Sequence, residues 1–169
     1  MRSVMRRNTV VVSVLLALAL LIHGHSMPTA AAMQKKLSLD EAKGQLDRAK
    51  SPVERTKAYI QISEVALKEL SQSISAHDFD ALNEWCTQYR QAISSARETM
   101  VTSGRDAQRD PEGYKDLEIL LRQHINWMMN WKRKLADSRP IDESIVTANG
   151  IRKEMLDLLF PVIGDKPKG

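Results

Sequence analysis

From Leu39 onward, apolar residues recur every three or four positions, which is the spacing of one helix face. Leu39, Ala42, Leu46 and Ala49 begin the stripe, and Val53, Thr56, Ile60, Ser63, Leu67, Leu70 and Ile74 carry it on in the same phase. Ser38 with Glu41, and Ser51 with Glu54, have capping-box spacing, and Pro52 stands where a first helical residue tolerates a missing amide hydrogen. The unbroken phase predicts two helices nearly end to end, or one first helix broken or kinked near Pro52.

A second seam follows in Phe79, Leu82, Cys86, Tyr89, Ile93, Ala96 and Met100. Ser75 and Asp78 have capping spacing ahead of it, and Ile74 with Phe79 is read as a hydrophobic staple. Gly104 to Arg109 is the expected loose connection. Asp110-Pro111 then reads as cap plus first-turn proline of a third seam, weakened by Gly113 and made of Tyr114, Leu117, Leu121, His124, Met128, Trp131 and Leu135. After the turn at 137–140, Asp142 is the expected cap of a last helix, with Ile141 and Val146 as its staple. That helix is expected to bury Ile145, Ala148, Met155 and Leu159, with Asn149-Gly150 as a possible break and Pro161 as its stop.

These segments predict an all-α fold, an antiparallel helical bundle of about four helices. The structural alternative is a run of helical pairs forming a curved, solenoid-like surface.

Before the first stripe the chain has a different character. A cationic stretch at 1–8 precedes an apolar run at 9–22, and Ala30, Ala31 and Ala32 supply the small side chains a signal peptidase requires. We read 1–32 as a cleaved secretory signal peptide, 33–163 as a single helical bundle domain and 164–169 as a flexible polar tail. The apolar run is too short to span a bilayer comfortably, so no stable transmembrane insertion is expected after processing. Arg6-Arg7 leaves general and twin-arginine export both open. Of the 25 Lys and Arg residues, three lie in the leader; without them 22 face 21 Asp and Glu. The basic balance therefore belongs to targeting and points to no nucleic-acid partner.

Candidate chemistry is sparse. With a single cysteine, Cys86, the chain has no internal disulfide or multi-thiolate metal site. Cys86 falls on the second seam, where a neutral thiol behaves as a small hydrophobe. His77 stands beside Asp78 and Asp80 at a helix start, where acids are ordinary first-turn residues. His124 has Met128 one turn along its face, a pairing that suits a soft transition metal or haem iron, yet Met and aromatic residues at helical spacing also build cores. No Glu-x-x-His, His-Glu-x-x-His, CxxCH or phosphate-cradling glycine loop occurs. Lys132-Arg133-Lys134 lacks aromatic interleaving and complements a helix C-terminus instead.

Packing thus accounts for most large residues and no catalytic constellation emerges. The expectation is a non-enzymatic exported helical protein without a cofactor. It would act as a binding or scaffolding module in the bacterial envelope, for a protein partner or as a homo-oligomer. Trp85 and Trp127 each fall one position off their seam, at an edge suited to an interaction rim. The alternative is a periplasmic metal- or cofactor-binding bundle using His124 and Met128.

Overall fold

Two reciprocal capping boxes open the fold in the computed structural model, which describes residues 38–161. The expected leader at 1–32 and tail at 164–169 lie outside the described residues. Ser38 Oγ accepts the Glu41 amide at 3.2 Å and starts α1, Leu39–Arg48. Ser51 Oγ accepts the Glu54 amide at 3.2 Å and starts α2, Pro52–Ala76. In return the Glu54 carboxylate accepts the Lys50 and Ser51 amides, and these two bonds hold its pKa below the ordinary carboxylate value. Each such cap contributes about 1 kcal/mol to its helix.

The two boxes separate what the hydrophobic phase had suggested was continuous. Ala49 and Ser51 are extended, so α1 and α2 are distinct helices rather than one kinked at Pro52. They are not end to end either. Ala42 clusters with Ile62 of α2 and Ala92 of the following helix, flanked by Leu39, Leu46 and Tyr59, which places α1 alongside α2. The reason is burial: a ten-residue amphipathic helix hides its stripe only by folding back onto a neighbour.

A tight reversal joins α2 to α3, Phe79–Val101. His77 adopts a left-handed conformation (φ 58°), and the Asp78 amide donates to Ser73 O at 3.0 Å. The cap of α3 is Asp78, whose Oδ1 accepts the Ala81 amide at 3.0 Å. Ser75, expected to take part in that cap, stays in α2 and donates to Ser71 O. Phe79 is 51% exposed and staples nothing. The other residues of the second seam, from Leu82 to Met100, are buried as the spacing predicts.

The stretch from 102 to 113 is ordered by side chains. Tyr114 Oη lies 2.9 Å from Met100 O and 3.0 Å from Arg105 O, and Ala107 is buried. Helix α4 is Tyr114–Lys132, starting after Gly113 rather than at Asp110-Pro111. Gly113 (φ 83°) is required twice over: its conformation favours glycine, and an added Cβ would stand 2.7 Å from Met100 Sδ. Helix α5, Arg139–Leu159, begins after Ser138, ahead of the expected Asp142 cap. Asp142 instead accepts from Ser138 Oγ and Lys132 Nζ. Val146 is 72% exposed and so makes no staple, while α5 runs unbroken through Asn149-Gly150.

The described residues therefore form an all-α bundle of five helices, not four. Helices α2 and α3 make one antiparallel hairpin, α4 and α5 another, and the two stack with α4 beside α2 and α5 beside α3. Arg90 reaches Pro140 while Arg97 reaches Glu154, so α3 and α5 run parallel. Glu118 pairs with Arg152 and Lys132 with Asp142, so α4 and α5 run antiparallel. Helices α2 and α5 have no close approach, and the connection from α3 to α4 crosses between hairpins. The main core lies between them, around Leu70, Tyr89, Ile93, Leu117, Leu121, Met128, Ile141 and Met155.

Candidate functional site

Helix α4 turns Tyr114, Leu117, Leu121, His124 and Met128 into the core. At four of these positions the side chain is apolar or bonded; at His124 it is neither. The imidazole is 0% exposed and sits between two aromatic rings. Its centroid is 5.7 Å from Tyr89 on α3 and 5.5 Å from Trp127 on its own helix, the latter nearly parallel at 29°. Neither Nδ1 nor Nε2 has a hydrogen-bond partner, and the Tyr89 hydroxyl is likewise unpartnered. Burial lowers the His124 pKa to about 4 and, with a smaller contribution from Cys86, pushes that of Tyr89 up. The ring is therefore neutral near pH 7, with one nitrogen lone pair available.

Met128, one turn further, is also fully buried. Among the described residues, no three His, Cys, Asp or Glu side chains are grouped so as to hold a metal ion. His77, Asp78 and Asp80 do not converge: all three are exposed, and Asp78 is spent on the α3 cap.

Cys86 is 0% exposed. Burial raises its thiol pKa, opposed in smaller measure by a hydrogen bond with Ser144 and by the Arg90 charge. A thiol so disposed is a poor nucleophile. Arg90 itself is structural, lying 3.3 Å from Pro140 O, 3.4 Å from Ser144 Oγ and 3.4 Å from a Glu143 oxygen. A cleft of about 770 Å³ borders it, with Arg139, Asp137 and Val146 on its walls.

The outer flank of α4 faces α2 across a groove of about 470 Å³. Ile60, Gln61 and Glu64 line it from α2, and Ile119, Leu120 and Gln123 from α4. The Lys57 to Glu112 bridge, at 2.6 Å, stands at one end. Trp127 follows Gln123 by one turn on the same flank and is 49% exposed. Its indole thus covers His124 on one side and meets solvent on the other. Trp85 differs, being partly buried against the main core.

The chain matches no protein family model. Neither the curated proteins nor the solved structures compared with it give a match.

The sequence put Met128 on the helix face of His124 with Trp127 nearby, and the structure brings His124 and Trp127 into ring contact. It also adds Tyr89, which had been read only as a seam residue. The spacing of His124 and Trp127 on one helix was a usable signal. The approach of Tyr89 was not, because it depends on how α3 and α4 dock.

Proposed function

We propose that this chain is an exported, non-enzymatic helical protein of the bacterial envelope, made with a leader at 1–32 that is removed, and that it works as a protein-binding or scaffolding module. The observation that supports this reading is Trp127, a half-exposed indole stacked on His124, one helical turn beyond a groove with a mixed apolar and polar lining. Rigid aromatic side chains supply large contact area with little ordering entropy and are enriched at interaction hot spots. The partner is a protein or a second copy of the chain, and no nucleic acid is involved. Among the described residues no helix is long and apolar enough to cross a membrane.

Sedimentation of the purified protein, alone and with a detergent-free envelope extract, tests the proposal. Replacing Trp127 with Ala should leave the fold intact and weaken association at least about fivefold, which is about 1 kcal/mol at a hot spot. Trp85→Ala should instead act mainly through stability. Unchanged association for a folded Trp127→Ala protein would defeat the rim. Intact-mass analysis of envelope material tests the leader; a full-length product in the inner membrane is the contrary result.

A second reading is favoured by one specific feature, the unpartnered nitrogens of buried His124 with Met128 one turn away. In that reading the chain binds a soft metal or a cofactor through these two side chains. Stoichiometric copper, zinc or haem in protein purified without chelator, lost on replacing His124, would establish it.

A further inference from the structure

We infer that the outward face of α4 docks an acidic helix of a partner protein, with Arg122 and Arg133 receiving two of its carboxylates and Trp127 and Met129 flanking the contact between them. The inference rests on the reading of Trp127 as an interaction rim and names the kind of partner that rim meets.

Helix α4 buries one stripe, from Tyr114 to Met128, and its outward positions fall into two further rows at helical spacing. Arg122, Asn126, Met129 and Arg133 form one row, each three or four residues from the last. Gln123, Trp127, Asn130 and Lys134 form the row beside it, and every member of both rows is exposed. Arg133 is the C-cap and keeps right-handed helical backbone (φ −65°), so the first row continues to it.

The charge of this face is of one sign. From Ile119 to Leu135 the chain has no Asp or Glu. Glu118 stands one turn before Arg122, at the spacing of an intrahelical pair, but it is bonded to Arg152 of α5 instead. Among the described residues Arg122, Arg133 and Lys134 have no ion pair, and the side-chain amides of Gln123, Asn126 and Asn130 have no hydrogen bond. Arg133 and Lys134 also suit a helix C-terminus, but Arg122 stands mid-helix, where the dipole gives no reason for it. Trp127 and Met129, between the two arginines, are 49% and 43% exposed. Trp, Met and Arg are enriched in protein interfaces, whereas Asp and Glu are depleted there.

These features fix the chemistry of the occupant. A neutral surface laid over the cations would strip water from them without compensation, so the partner must bring carboxylates. A guanidinium takes a carboxylate through two parallel N–H···O bonds. The two rows leave a channel along the helix into which the side-chain ridge of a second helix fits. Arg122 and Arg133 are separated by about 16 Å along α4. A partner helix lying along the channel therefore meets them with acids eleven residues apart. A lipid surface fits worse: it takes a helix by a contiguous apolar face, and that of α4 is spent on the core.

The probe is an alanine-based helical peptide with Glu at two positions eleven residues apart and Leu four and seven residues after the first, beside a twin with Lys in place of both Glu. Each is titrated into the isotope-labelled protein at low salt while backbone amide shifts are followed. Shifts should be confined to 119–135, with the Glu peptide bound at least about tenfold more tightly than its twin. The protein carrying Arg122→Glu and Arg133→Glu should reverse that preference. Arg122→Gln with Arg133→Gln should abolish it, and serves if the reversed protein does not fold. Equal binding of the twins, binding of neither, or shifts away from α4 overturns the acidic partner. So does binding of phosphatidylglycerol vesicles at this face without either peptide, which assigns it to lipid, or a concentration-dependent dimer lost in Arg122→Gln, which assigns it to a second copy. The two readings fail separately. A reversing charge preference with Trp127→Ala binding unchanged removes the rim and leaves the acidic partner standing, whereas a Trp127 effect without a charge preference removes the acidic partner alone.

Discussion

The two flanks of α4 belong to the same helix, share its propensity and its core face, and yet are built in opposite ways. The flank toward α5 is cross-linked. Glu118, only 10% exposed in its side chain, accepts from Arg152 Nε at 2.9 Å, and Lys132 pairs with Asp142 near the other end. Between them Ile125 packs on the core. The flank toward α2 has a bridge just ahead of the start of α4, between Lys57 and Glu112, whose side chains are 50% and 59% exposed. Beyond that point come Leu120, Gln123 and Trp127, and the groove stays open. The difference teaches that one helix can be tied to one neighbour by partly buried charge pairs and seated against another mainly by core packing, which leaves a rim available. Helix α5 is tied to α3 in the first way as well, through Arg97 with Glu154 and Arg90 with Glu143.

That contrast can be broken or sharpened by substitution, and the core face sets the upper limit. Met128→Ala should cost about 3 kcal/mol of unfolding free energy, since a fully buried side chain leaves a cavity behind. Denaturant titration checks it. A loss below about 1 kcal/mol would mean that the core around α4 is loose and that the two flanks cannot be compared as rims of one packed helix.

Next is the α5 flank. Arg152→Ala strands a nearly buried carboxylate at Glu118, and the expected loss is about 2 kcal/mol, below the value for a fully buried pair because Arg152 is partly exposed. The double change with Glu118→Gln should recover part of that loss. If it does not, the seam is held by the aliphatic part of the arginine rather than by its charge.

Smaller again is Trp127→Ala, at about 1 kcal/mol, because only the stacked face of the indole is lost. A loss of 3 kcal/mol or more would make Trp127 a core side chain and remove its claim to a rim. Smallest is Lys57→Ala, at no more than about 0.5 kcal/mol for an exposed pair in water, and added salt should erase even that. Each of these is read from the same unfolding curves.

How much of this was legible from residues alone depended on range. The all-α fold, the second and third seams and the capping boxes at Ser38 and Ser51 could be read, since spacing and cap chemistry act within one helical turn. The starts of three helices were misplaced by a few residues: Ser75, Asp110 and Asp142 all resemble caps, but the N-cap positions are Asp78, Gly113 and Ser138. Capping motifs compete, and the winner is set by where the chain must turn.

The sequence by itself determined which residues could share a helix face, and so placed His124, Met128 and Trp127 on one helix and Cys86 within a buried seam. Only the tertiary structure decided that α1 folds back beside α2, that the two hairpins stack with like helices parallel, and that Tyr89 comes against His124. Local spacing specifies a stripe but not its partner, because any apolar stripe of the right length can bury any other. The choice among them is made by the turn at His77, the crossing from 102 to 113 and the few charged pairs that fit only one arrangement.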